Sequence, residues 1–134
     1  MIERFNPPTV HEPAGYSHVT ISSAGRLAHL AGQCPLDRDG KVVGAPGDFP
    51  AQTDQVIANC LAVLAAAGAK PADVVRSVVY VVSPDSTVLA GVWSRLQDSD
   101  LAPAFTTAST LLGVASLGYR GQLVEIDLTA ALPD

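Results

Sequence analysis

Asp48-Phe49-Pro50-Ala51-Gln52-Thr53-Asp54-Gln55-Val56-Ile57-Ala58-Asn59-Cys60-Leu61-Ala62-Val63-Leu64-Ala65-Ala66-Ala67-Gly68, then Pro71-Ala72-Asp73, then Val74-Val75-Arg76-Ser77-Val78-Val79-Tyr80-Val81-Val82, is the stretch on which the fold turns. In its first part Val56, Ile57, Cys60, Leu61 and Leu64 recur at helical spacing. Asp48 suits an N-cap, Pro50 the first turn, and Gly68 the stop. The second part is too rich in valine for a helix and predicts a mostly buried strand, because β-branched side chains pack well on a pleated surface. Helix, break and buried strand in this order fit a helix layer packed on a sheet.

The flanks extend the pattern. Residues 2 to 5 and 18 to 22 read as short strands, the second from the alternation His18-Val19-Thr20-Ile21-Ser22 closed by an Ala24-Gly25 turn. Leu27 to Gly32 predicts a third strand that leads into the turn-rich Pro35-Leu36-Asp37-Arg38-Asp39-Gly40. Beyond the valine-rich strand, Ser83-Pro84 marks a second helix start, with Val88, Leu89, Val92, Trp93 and Leu96 as its apolar face up to about Asp98. Pro103 marks a loop, and strands over Thr107 to Val114 and Leu123 to Leu132 follow, joined through Gly118-Tyr119-Arg120-Gly121. The order βββ-α-β-α-ββ is an α+β layer, a sheet backed by two helices, and not a Rossmann repeat. Nothing repeats at a fixed period and no stretch is of low complexity, so the expectation is a single domain over residues 1–134.

Composition narrows the function class. Eight Lys+Arg against 13 Asp+Glu give a net charge of -5. The cations are scattered from Arg4 to Arg120, which argues against a phosphate-tracking surface and a nucleic-acid partner. The longest small-apolar run, Cys60 to Ala69, is short of the ~18 to 20 residues that span a bilayer, and Met1-Ile2-Glu3-Arg4 lacks the charge and apolar pattern of a signal peptide. Cys34 and Cys60 have neither CxxC nor metal-ligand spacing, and His11, His18 and His29 form no HxH or HExxH. A cytoplasmic protein without disulfide, metal or cofactor is expected. With 48 % apolar and 16 % charged residues, apolar surface must remain outside, which favours self-association.

Five pieces, in this order, carry a likeness to a known family: Gly15-Tyr16-Ser17; Leu30-Ala31-Gly32-Gln33-Cys34-Pro35-Leu36-Asp37; Gln52 to Asn59 running on to Ala66-Ala67-Gly68; Asp73-Val74-Val75 to Val81; and Val124-Glu125-Ile126. Almost from end to end the chain resembles the reactive-intermediate deaminases, the RidA or YjgF family. The resemblance implies a RidA/chorismate-mutase-like sheet with two helices on one face. It also implies a homotrimer with a central barrel and ligand clefts between subunits. In active deaminases of that family an arginine grips the substrate carboxylate, and a glutamate and backbone groups position the water that attacks an imine carbon. The glutamate matches Glu125. The arginine does not match: registering Thr107 to Leu117 on the family's Pro-Ala-Arg-Ser segment and closing Val-Ala-x-Leu puts Ser109 there, and a second register, on Pro103-Ala104, puts Phe105 there. Neither side chain makes the bidentate clamp of a guanidinium.

The residues themselves supply further candidates. In Val124-Glu125-Ile126-Asp127-Leu128-Thr129 the alternation puts Glu125, Asp127 and Thr129 on one strand face, and a carboxylate beside a partly dry cleft serves acid-base chemistry. Ser109 and Thr110 are expected to hydrogen-bond a ligand where an arginine would have stood, although Ser109 shows no activating base. Arg120, the cation nearest in sequence, is a candidate displaced anion clamp. Tyr16 and Gln33 match family positions close to the cleft, and Gly32 allows close backbone approach. Gln52 and Asn59 are assigned to buried backbone groups rather than to ligand. The expected partners are a small-molecule ligand and further copies of the chain, and the expected reaction is hydrolysis of an imine or enamine. The rival readings are a non-catalytic ligand-binding or regulatory trimer and a chaperone-like trimer.

Overall fold

The structure, a computed structural model, describes residues 1–23 and 25–133. Its elements are β1 (Ile2–Phe5), β2 (Val19–Ser22), β3 (Leu27–His29), α1 (Phe49–Ala66), β4 (Val74–Val81), α2 (Ser86–Gln97), β5 (Ala108–Gly113) and β6 (Val124–Ala131). Short 3-10 turns at Pro71–Asp73 and Ala102–Phe105 lead into β4 and β5. This is the expected α+β order. The turn expected at Ala24-Gly25 lies partly outside the described residues, at Ala24.

Four strands form one sheet in the order β3-β6-β4-β5, with β4 and β5 parallel and the other pairs antiparallel. The parallel pair is joined by α2, as a crossover requires. β1 and β2 form a separate antiparallel ribbon. It is tied to the start of β5 by a parallel bridge from Ser17 to Ala108 and by Thr20 Oγ1, which accepts from the Ala108 amide at 2.9 Å.

α1 begins where Asp48 Oδ1 accepts from the Ala51 amide (3.0 Å) and ends before Gly68, whose φ of +83° only glycine adopts without strain. It buries Gln52, Thr53, Val56, Ile57, Cys60 and Leu64. α2 starts three residues later than Ser83. The Ser83 hydroxyl accepts from the Asp85 amide (3.0 Å) in a local turn, and Asp85 is the cap, accepting from Thr87 N at 2.8 Å. Val56, Leu64, Leu96, Phe105 and the inner residues of β4 and β6 form the core between the helices and one sheet face.

Two bulges set which side chains leave that core. β4 pairs Val74 with Ala130 but Arg76 with Thr129, so one residue is extra. The parity flips there: Val74, Ser77, Val79 and Val81 are buried, and Arg76 is turned out. The second bulge shortens the expected third strand. His29 pairs with Thr129, Leu30 N donates to Leu128 O (3.0 Å), yet Ile126 is bridged to Gln33, again one residue too many. The ladder therefore stops at His29, and the backbone of Ala31 and Gly32 arches over β6.

Candidate functional site

Residues paired in register share a sheet face. Ser77 lies across from Ser109, and Val79 from Leu111, on the face covered by the helices. Arg76 and Val78 lie across from Ala108 and Thr110, and Tyr80 from both Leu112 and Glu125, on the face that neither helix covers. The chain thus carries two separate candidate sites, one on each face of the sheet.

The first is a cleft of about 590 Å³ between α2 and β5, lined by Tyr16, Leu89, Trp93, Gln97, Ser109 and Leu111 among others. The segment Ala14-Gly15-Tyr16 walls it. Trp93 Nε1 and Gln97 Nε2 donate to Ala14 O (3.0 and 3.3 Å), and a Cβ on Gly15 (φ +90°) would lie 1.9 Å from Gln97 Nε2. Tyr16 and Phe105 each meet Trp93 edge-to-face, at centroid distances of 6.4 and 5.7 Å. The Tyr16 hydroxyl bonds His11 Nε2 (2.9 Å), and His18 Nε2 bonds the His11 carbonyl (2.8 Å), so two of the histidines brace the tyrosine. Ser109 Oγ bonds Ser77 Oγ and the carbonyls of Thr107 (3.0 Å) and Phe105 (3.4 Å). Among the described residues no imidazole or carboxylate touches that hydroxyl.

The second surrounds Glu125. Its Oε1 accepts from Cys34 Sγ (3.3 Å) and from Gln122 Nε2 (3.0 Å). Its Oε2 stands over the arched Gly32, where an added Cβ would come within 2.1 Å. A side chain at position 32 would therefore displace the carboxylate from this placement. Gln33 holds the arch through paired backbone bonds to Ile126 (2.7 and 3.1 Å), and its side-chain amide donates to Ala31 O (3.0 Å). Burial, with the Glu125 carboxylate next in importance, pushes the Cys34 thiol up to about 11. Arg120 is exposed in the turn closed by Gly121 (φ +79°), and Gln122 ties that turn to the carboxylate by accepting from Tyr119 N at 3.1 Å.

The structure therefore brings Tyr16 together with Ser109, and Glu125 together with Gly32 and Gln33, but within one chain it does not bring Ser109 and Glu125 together. Thr110 is on the Glu125 face, where Arg76 Nη2 donates to its hydroxyl at 2.8 Å. Asn59 and Gln52 do serve backbone: Asn59 Nδ2 donates to Cys34 O and Leu36 O (2.9 and 3.0 Å), and Gln52 joins Gly121 O and Leu123 N (2.9 and 2.7 Å). Sequence reasoning missed Gln122, Trp93 as a cleft wall, Arg76 and the thiol of Cys34. No local signal marks them, because each takes its place through neighbours distant in sequence. Among the described residues no group of three His, Cys, Asp or Glu is arranged to hold a metal ion, and no helix is long and apolar enough to cross a membrane.

A family model described as endoribonuclease L-PSP matches residues 9–132, nearly the whole chain and both candidate sites. The chain belongs to this family. Among its relatives, protein DfrA of Myxococcus xanthus is 34 % identical over 116 residues, covering 86 % of this chain and 83 % of the relative. A RutC family protein of Synechocystis, slr0709, is 32 % identical over 122 residues, covering 90 % and 89 %. YyfB of Yersinia pestis, a solved structure described as a protein of unknown function in the conserved Rid family, superposes with a TM-score of 0.82 at 38 % identity over 98 % of both chains. The expected RidA/YjgF membership is thereby established, and with it the L-PSP/Rid fold of the monomer. Yeast Mmf1, at 23 % identity and a TM-score of 0.69 over 99 % of this chain and all of that one, shares the fold.

Proposed function

We propose that the protein is a cytoplasmic homotrimer that hydrolyses a small reactive imine or enamine in clefts between its subunits. The observation that carries this reading is the placement of the Glu125 carboxylate, held at one oxygen and set over a bare glycine backbone on a sheet face that no helix covers. Its natural complement, the aromatic cleft of Tyr16 and Trp93, opens on the other side of the same chain. Two unlike surfaces of one chain meet when copies assemble head to tail in a closed ring, so each cleft would take Glu125 from one copy and Tyr16 from the next. The sheets would then face one another around the axis as a barrel.

In such a cleft Glu125 takes a proton from water as the water oxygen bonds to the imine carbon and the C=N electron pair moves to nitrogen. That proton is returned to nitrogen. The carbinolamine then collapses as its hydroxyl proton passes through the same carboxylate to the amine, leaving a carbonyl compound and ammonia. Ser109 and Thr110 would orient the ligand by hydrogen bonds, Tyr16 by stacking and its hydroxyl, and Gly32 and Gln33 by backbone. Arg120 is the proposed anion contact beside Glu125, through the turn that Gln122 ties down.

A second reading, a non-catalytic ligand-binding trimer, is favoured by one feature: the Ser109 hydroxyl, in the family's arginine position, is committed to Ser77 and to carbonyls. Neither reading needs RNA, for which a chain of net charge -5 is poorly suited. The deciding experiment is release of ammonia from enzymatically generated imines, with and without a carboxylate, by wild type and Glu125→Gln. Turnover lost in the variant supports hydrolysis. Ligand-induced thermal stabilisation without turnover supports the binding trimer.

A further inference from the structure

We propose that Cys34 and Gln122 are positioning residues that hold Glu125 through Oε1 alone and leave Oε2 as the oxygen that receives the proton from water. This rests on reading Glu125 as the base.

The two oxygens of the carboxylate have different surroundings. Oε1 accepts from a thiol at 3.3 Å and from an amide at 3.0 Å, so its acceptor capacity is taken up within the fold. Oε2 has no hydrogen-bond partner among the described residues and projects across Gly32. The donors are themselves fixed. Gln122 is 3 % exposed, and its amide is used at both ends: Oε1 accepts from Tyr119 N, while Nε2 donates to Val124 O as well as to Glu125. That pattern fits one orientation of the amide only, so the NH2 group must face the carboxylate. Cys34 stands at the foot of the bulge that raises Gly32, its carbonyl held by Asn59 of α1. The high thiol pKa keeps it a donor at neutral pH. A carboxylate tethered at one oxygen swings little, and the free oxygen of such a group is pre-aimed at whatever enters above the glycine.

The test compares Cys34→Ala, Cys34→Ser and Gln122→Met with wild type. A lost tether is expected to lower kcat about tenfold to 100-fold with KM nearly unchanged, and Cys34→Ser, which keeps a donor, is expected to recover most of kcat. Equal activity of Cys34→Ala and wild type, or a serine variant as impaired as the alanine one, overturns the proposal. If Gln122→Met does not fold, the two Cys34 variants decide. A separate arm needs no turnover: alkylation of Cys34 by iodoacetamide at fixed pH, read by mass spectrometry, should be faster in Glu125→Gln, since the thiol then loses its anionic acceptor. An unchanged rate overturns the contact. A wild-type chain that hydrolyses no imine while the thiol still responds overturns the role of Glu125 as base, with the tether itself left standing.

Discussion

Ser109 and Glu125 lie on opposite faces of one sheet, Ser109 across from the fully buried Ser77 and Glu125 across from Tyr80 on the uncovered side. No side-chain rotation brings them together within a chain. If activity belongs to an assembled ring, Tyr16→Ala and Glu125→Gln chains, each inactive alone, should complement when dissociated, mixed in equal amounts and reassembled. About one cleft in four would then be intact, because each cleft draws once from each of two chains in a head-to-tail ring. Sedimentation equilibrium of the separate variants should give a trimer mass; a monomer mass, or no recovery on mixing, would sink the shared cleft.

Glu125→Gln should lower imine hydrolysis by roughly 10² to 10⁴-fold, the usual contribution of a positioned base, while leaving the urea midpoint close to wild type. Gly32→Ala should do comparable harm by a different route, since its Cβ would occupy the place of Oε2. A Gly32→Ala protein with full turnover would contradict the arrangement.

Imines that carry a carboxylate should bind on the order of 10² more weakly than they would to a site with an arginine clamp, and so should gain nothing over neutral ones of the same size. Arg120→Ala should weaken them further if the 118–121 turn supplies the contact. The competing cation is Arg76, on the Glu125 face beside Thr110. Competition binding with small carboxylates, run on Arg120→Ala and Arg76→Ala in parallel, identifies which cation is used.

Stability should fall at high pH. Burial pushes the Cys60 thiol up to about 12, and burial followed by Glu125 pushes Cys34 up to about 11. Both folded values lie above the ordinary thiol value, so the folded state favours the protonated form. Its contribution is complete below about pH 9 and is lost as pH rises through 11 and 12. Urea midpoints should therefore be insensitive to these groups up to about pH 8 and then decline, and Cys60→Ala should flatten the decline.

Gln52→Ala should cost about 1 to 3 kcal/mol, because it removes the partner of a part-buried carbonyl and of a part-buried amide at once. Both groups, Gly121 O and Leu123 N, belong to the connection that enters β6. Chemical denaturation checks the magnitude, and loss of the Glu125 tether in the same variant would show that α1 anchors the site through that connection.

The order of elements, the α1 cap at Asp48, the stop at Gly68 and the alternation that puts Glu125 with Asp127 were all fixed by local chemistry: period, caps, turn residues and β-branching act over a few neighbours and are read directly from the chain. The cap of α2 at Asp85 rather than Ser83 was not, because two residues able to cap stood close together and a hydroxyl bond to the Asp85 amide decided between them. The two bulges were equally silent, since an extra residue in a strand is defined only by what it faces. Glycine at 32 announced a close approach, and the tertiary fold alone revealed that what approaches is the glutamate 93 positions away in number. Tertiary structure likewise made Gln122 and Cys34 partners of one carboxylate oxygen and split Ser109 from Glu125. Sequence determines which face of its own strand a residue takes, but the juxtaposition of faces depends on strand order and register, which long-range pairing sets.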